Sequence, residues 1–210
     1  MENSNRSLHI RQIAVQLLEE HRIHNHFEIN ILSLISNMDQ PISYQFADLK
    51  GLAGFTCFDI PSNRFRMFFD SITHENCPAR TSFTVAHELG HIILNHFSKT
   101  SINSIFFGDR SLEFEANLFA DELLMPTLPI IKHRLNAYEI MQTYNVSAAA
   151  ASNKIKYLKN NAIYTDKQVK DQLQKIFTKC NTVLSWVEEE QDRMTDYLRD
   201  RWLDPDSDGW

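Results

Sequence analysis

Two histidines four residues apart, His87 and His91, with Glu88 beside the first, are the residues of this chain whose types and spacing commit them to a particular chemistry. On an α-helix, residues i and i+4 lie one turn above one another, so both imidazoles can reach a single metal ion. Zinc suits such a pair: it takes imidazole nitrogen readily and, in catalytic sites, keeps three protein ligands and a fourth position open to water. Bound zinc lowers the pKa of that water from about 15.7 to about 7, and an adjacent carboxylate can accept the proton as hydroxide attacks a carbonyl. Glu88 falls at the edge of the pair and is the candidate base.

The element that must position them is Phe83 to His96, FTVAHELGHIILNH. Val85, Leu89, Ile92, Ile93 and Leu94 make it a largely buried helix, and two histidines among such residues need a hydrogen-bond partner or a metal. An ordinary core helix with hydrogen-bonded histidines is the competing reading. Gly90 costs about 1 kcal/mol relative to alanine inside a helix, so something, the sheet or a substrate, is expected to pass close to it.

A third ligand must come from elsewhere, and Leu112 to Pro126, LEFEANLFADELLMP, offers four carboxylates. At about 100° per residue, Leu112, Leu118, Phe119 and Leu123 define an apolar arc with Glu115 at its middle and Glu122 close by. Glu113, Asn117 and Asp121 fall on the opposite side, where Glu113 and Asp121 read as a solvated face. A carboxylate centred on an apolar face is costly unless it meets a cation or coordinates metal, which makes Glu115 the expected third ligand. Glu122 reads either as a hydrogen-bond partner of a ligand histidine or as a plain ion pair.

The segments RTSFTVAHELGHIILNH, EFEANLFADELLMP and YNVSAAAASNKIKYL, in that order, resemble the ImmA/IrrE family of zinc metallopeptidases. The resemblance runs from about Leu49 to Leu158 and rests on several motifs together, which is far more specific than one. It implies an α+β fold with a zincin-like, thermolysin-like core, one zinc ion per chain on His87, His91 and Glu115, and Glu88 as base. It also implies a protein substrate, since members of that family cut or destabilise helix-turn-helix repressors and so release the genes they silence. The sequence departs from the family pattern at Lys154, where an arginine is usual, and beyond Asn160, where no family motif is found.

Composition bounds the rest. With 210 residues, 43% of them hydrophobic and 11% aromatic, the chain can bury a substantial core. Its net charge of −6 speaks against bulk affinity for nucleic-acid phosphates and suits a basic protein partner. Cys57, Cys77 and Cys180 form no paired framework, there is no apolar leader and no run long enough to span a membrane, so a cytoplasmic protein without membrane attachment is expected. Cys77, ten residues before His87, reads as an unremarkable thiol rather than a latent zinc cap.

Along the chain, Ser7 to His21 reads as an amphipathic helix, followed by His21, His24 and His26 at a solvated helix end and by a second short helix over Ile29 to Asn37. Pro41, Gly51, Gly54 and Pro61 punctuate runs rich in aromatic residues, which predict three short strands of a small antiparallel sheet. Arg64 to Asp70 is the candidate edge for an added substrate strand, with an interior strand the alternative. Ser71 to Arg80 reads as a polar loop, and Arg80 either pairs with a carboxylate near the active-site helix or faces solvent.

Phe97 to Arg110, with Ile105, Phe106 and Phe107, reads as a loop, and Ser111 as the N-cap of the Glu115 helix. Asn136 to Asn160 reads as two short helices resembling a DNA-reading module, but with few basic residues, so packing is favoured over DNA contact. Tyr138, Tyr144, His133 and His74 are the candidates to steady an oxyanion. Thr165 and Gln168 open a long helix with apolar residues from Val169 to Leu198, which could join two copies into a homodimer or pack within the chain.

The organisation expected is a metallopeptidase domain over residues 1–135, a small helical extension over 136–160, and a C-terminal helix with an acidic tail over 161–210. The function expected is a zinc endopeptidase acting on a helix-turn-helix repressor, with no direct contact to nucleic acid. The alternative is a zinc-stabilised module that sequesters a repressor or toxin without cutting it.

Overall fold

The protein, in a computed structural model, is described over residues 2–21, 29–99 and 109–160. The histidine cluster beyond His21, the aromatic loop at 105–107, the C-terminal helix and the acidic tail all lie outside these residues.

The helix α4, Pro78–Ile93, runs through the middle of the described structure. Pro78 fits its first turn, where a missing N–H costs nothing and the fixed φ is already helical. Of the residues expected to bury it, Val85, Leu89, Ile92 and Leu94 are buried and Ile93 is half-buried, while Ala86 joins the buried face. The segment before it is helical too: α3, Ser71–Asn76, replaces the expected loop because Asp70 caps it, accepting a hydrogen bond from the Thr73 N–H at 2.8 Å.

A three-stranded sheet packs near α4, with strands β1 (Ile42–Ala47), β2 (Gly54–Asp59) and β3 (Arg64–Asp70) in the order β1-β3-β2. The strand positions agree with expectation, but the sheet is mixed: β2 and β3 form an antiparallel hairpin, whereas β1 runs parallel to β3. β3 takes the centre because it carries Met67 and Phe69, which are fully buried. Arg64 to Asp70 is therefore the interior strand and not the free edge, and among the described residues the outer side of β2 is the edge that remains on the α4 side of the hairpin.

Against α4 lies α6, Arg110–Leu124, capped by Asp109 rather than by Ser111, since the Asp109 side chain accepts from the Ser111 N–H at 2.8 Å. The helices meet closely at Gly90: a Cβ there would stand 3.0 Å from the Phe119 ring and 3.3 Å from the Ala116 backbone. The close neighbour that glycine was expected to admit is therefore α6, not the sheet or a substrate. On its other side α6 is covered by α1, Glu2–Glu20. Short helices α2 (Ile31–Ser36), α5 (His96–Lys99) and α7 (Thr127–His133) fill the remaining space, and α8 (Ala137–Tyr144) and α9 (Ala148–Asn160) pack on each other. No described helix is long and apolar enough to cross a membrane.

A buried ionic cluster joins α1, α6 and α9. Glu122, wholly buried, accepts from Arg11, from the Thr127 N–H at 2.8 Å and from Lys154 at 3.4 Å, while Lys154 also reaches Asp121 at 2.5 Å. Asp121 is thus paired and not part of a solvated face. Lys154 supplies the cation at the position where arginine was the family expectation. Glu122 proves to be an ion-pair residue rather than a partner of the histidines. Burial pushes its carboxyl up, but Lys154, Arg11 and Thr127 together outweigh that and hold it below its ordinary range.

Two cations offset two anions here, so removing one charge strands the others in a medium of low polarity. Glu122→Gln is expected to lower the unfolding free energy by about 3–5 kcal/mol in urea titrations. A carboxylate held low contributes stability that is present above its unfolded pKa, about 4.3, and lost as pH falls below it. The gap between parent and variant should therefore narrow in acid; a gap below about 1 kcal/mol at neutral pH would contradict the cluster's energetic role.

Candidate metal centre

One turn of α4 presents His87 and His91 with their Nε2 atoms 3.2 Å apart. The residue that joins them is Glu113, whose carboxylate oxygens lie 3.3 Å from His87 Nε2 and 3.5 Å from His91 Nε2. Among the described residues these three make the group able to hold a metal ion. Ligands at about 2.0–2.1 Å from a tetrahedral zinc are separated by roughly 3.3 Å, so the three measured separations are those of one tetrahedral face.

The outer sides of the rings bear on the same question. His87 Nδ1 faces Asn117 Oδ1 at 3.0 Å, and His91 Nδ1 faces His96 Nδ1 at 3.0 Å. An amide oxygen can only accept, so His87 carries its proton on Nδ1 and turns a lone pair inward from Nε2. Burial, with His87 and His96 nearby, pushes the His91 pKa down to about 3, so this ring is neutral near pH 7, as a ligand must be. Two inward-facing imidazoles and a carboxylate are the donor set zinc prefers.

Glu115, expected as the third ligand, is elsewhere. Its carboxylate receives Arg6 of α1 through Nε at 2.8 Å and Nη2 at 2.5 Å, and lies 3.2 Å from His96 Nε2. That pairing holds it below the ordinary range, the Arg6 hydrogen bond being the largest cause. The physical reason is that α6 is covered on two sides. Glu113, Ala116 and Asn117 face α4, while Glu115 and Glu122 face α1, where two arginines meet them. Of the two ways to relieve a carboxylate on an apolar face, the cation applies to Glu115, and the carboxylate that stands beside the two histidines is Glu113.

Glu88 accepts a hydrogen bond from the Thr56 hydroxyl of β2 at 2.7 Å. Burial is the largest influence on its carboxyl and raises it; Thr56 and His87 work against that rise, and Glu113 adds to it. A carboxyl raised in this way is a stronger proton acceptor than an ordinary one. Thr56 was not singled out from the sequence. The available signal was a buried hydroxyl position within an otherwise aromatic edge strand.

These residues line a cleft of about 590 Å³, with Leu52, Gly54 and Phe55 of the β2 side on one wall and Phe83, His87, Glu113 and Asn117 on the other. Gly54 is required there, because a Cβ would stand 2.8 Å from both the Phe69 ring and Thr84. Arg80 and exposed Cys77 line a neighbouring apolar cavity of about 650 Å³ instead. None of Tyr138, Tyr144, His133 and His74 lines the cleft; His74 stacks on Phe46 with centroids 4.3 Å apart.

The ligand assignment is testable by metal content. Glu113→Ala should weaken zinc binding by more than the 10–100-fold, roughly, that loss of an outer partner causes, measured by competition with a chromophoric chelator. Parent-like zinc affinity in that variant would remove Glu113 from the site.

Residues 72–156 match the family model of peptidase M78, described as an IrrE N-terminal-like domain. The matched span contains α4, α6 and every residue of the ligand group. No curated protein matches the chain.

Proposed function

We propose, for a chain whose residues 72–156 match the IrrE N-terminal-like peptidase family model, that it is a zinc-dependent endopeptidase. The observation that carries this reading is the convergence of His87, His91 and Glu113 on one tetrahedral face, with Glu88 beside it in a cleft bordered by an edge strand.

His87, His91 and Glu113 would hold the ion, and Asn117 fixes the orientation of the His87 ring. Zinc, when bound, supplies Lewis acidity to a scissile carbonyl and acidity to water. Glu88 takes a proton from the attacking water and returns it to the leaving amine. Thr56, by occupying Oε2 of Glu88, leaves Oε1 as the oxygen for that exchange. β2 offers the edge along which an extended peptide can lie, with backbone groups giving affinity and side-chain pockets giving specificity. This edge takes the role expected of β3.

The substrate we propose is a helix-turn-helix repressor whose cleavage restores transcription of its genes. The sequence resemblance supports this, and the net charge of −6 is suited to a basic partner and unsuited to gripping DNA. The same reading places the protein in the cytoplasm, where its substrate would be. A homodimer through residues 161–210 would concern a segment outside the described residues.

The decisive experiment is mass spectrometry of purified helix-turn-helix repressors incubated with the zinc-loaded chain and with its Glu88→Gln variant. The parent should yield defined fragments, and Glu88→Gln should cut about 10²–10⁴-fold more slowly while keeping one zinc per chain. Intact repressor retained in a stable complex with the zinc-loaded parent would favour sequestration. A zinc-loaded Glu88→Gln variant as active as the parent would overturn the assigned base.

A further inference from the structure

His96 is fully buried between the inner histidine and the N-terminal helix, and the proposed chemistry does not by itself require it. It sits at the first residue of α5, immediately after Asn95, whose φ of +57° turns the chain back on α4. Asparagine tolerates that left-handed conformation better than most residues. The turn brings His96 Nδ1 to 3.0 Å from His91 Nδ1, and His96 Nε2 to 3.2 Å from Glu115 Oε2. Arg6, reaching in from α1, closes the series on both oxygens of Glu115.

The proton positions along this series are fixed once one end is fixed. If His91 gives its Nε2 lone pair to a metal, its Nδ1 carries a hydrogen and donates to His96 Nδ1. His96 then carries its own hydrogen on Nε2 and donates it to Glu115, an acceptor only. Arg6, a donor only, completes the set with no clash of donor on donor or acceptor on acceptor. The reverse tautomers would point a hydrogen of His91 into the ligand group and leave the Glu115 carboxylate facing a lone pair.

We propose that Arg6, Glu115 and His96 form a positioning relay for His91, through which a half-buried carboxylate fixes the tautomer of the inner metal ligand and strengthens it as a donor. This rests on the reading of His91 as a zinc ligand. The direct form of the device, a carboxylate on a ligand histidine, is a general way to tune metal sites. Here an imidazole is interposed, and the carboxylate is the one that sequence position alone would place on the metal. Arg6 holds the carboxylate's orientation, so α1 is mechanically joined to the metal centre although it lies far upstream of the matched family span.

The test is zinc affinity, read by chelator competition on the full chain, for Glu115→Gln, His96→Phe and the double variant. Each single change should weaken zinc by about 10–100-fold. The double variant should be no weaker than the worse single one, because both act through one series. Glu122→Gln serves as the control: it removes a buried carboxylate from the same face of α6 and should leave zinc affinity of the folded protein unchanged. Cobalt(II) loading adds a spectroscopic readout, and its ligand-field bands should shift in Glu115→Gln but not in Glu122→Gln.

Should His96→Phe fail to fold, Glu115→Gln still decides, since Gln keeps the shape and loses the charge. Parent-like zinc affinity and an unshifted cobalt spectrum in Glu115→Gln would overturn the relay while leaving the metal site intact. A parent chain that binds no zinc would instead remove the reading on which the relay rests.

Discussion

The approach of α6 to α4 at Gly90 is the constraint from which the site follows. A side chain at that position would press on the Phe119 ring at 3.0 Å and the Ala116 backbone at 3.3 Å, so α6 would have to give by a few tenths of an ångström. Carboxylate oxygens stand 3.3 and 3.5 Å from the two ring nitrogens, so little separation is tolerable before the tetrahedral face opens. Asn117, one turn along α6 from Glu113, depends on the same closeness to reach His87. The conformational cost of glycine within a helix is thus matched to a geometric need, and the residue serves the metal centre without touching it.

The histidine pair and its glutamate were legible because their relation is local. An i, i+4 spacing on a helix fixes mutual position without knowledge of the rest of the fold, and the periodic apolar residues around it identify the helix. The strands were legible for the same reason, since aromatic-rich runs bounded by turn residues are short-range signals. Pairing order was not: whether β3 is central depends on which strand's side chains most need cover, and that is decided by packing. The expected antiparallel sheet and the expected β3 edge failed together on this one point.

The third ligand failed for a related but more instructive reason. Locating Glu115 on the buried arc of α6 was correct as far as it went, since its carboxylate is mostly shielded. Two helices, however, compete for that surface, and the periodicity of α6 does not say which neighbour covers which part. The charges of the neighbours decide. α1 brings Arg6 and Arg11 opposite Glu115 and Glu122, whereas α4 brings two imidazoles opposite Glu113. Arg11 was visible in the sequence as a cation on the helix expected from Ser7 to His21, whereas Arg6 lay just ahead of that expected start and entered the helix only in the structure. Pairing them with the acidic positions of LEFEANLFADELL would have pointed away from Glu115.

This division also bears on where the functional unit begins and ends. The matched family span starts at residue 72, within α3, yet two buried or half-buried carboxylates inside it find their cations in α1. Lys154, near the other end of the span, supplies the second cation to Glu122 and the partner of Asp121. A unit cut at residue 72 would keep all three candidate ligands and lose both arginines. Glu115 would then face His96 without its opposing charge, and Glu122 would share Lys154 with Asp121. Removing a cation from a buried ion pair is costly because the anion left behind has no water to replace it. Lys154, beyond the expected boundary between 135 and 136, pairs across it with Asp121 and Glu122. Charge balance in the interior, more than the extent of the recognisable motif, therefore governs which segment keeps Glu115 and Glu122 compensated.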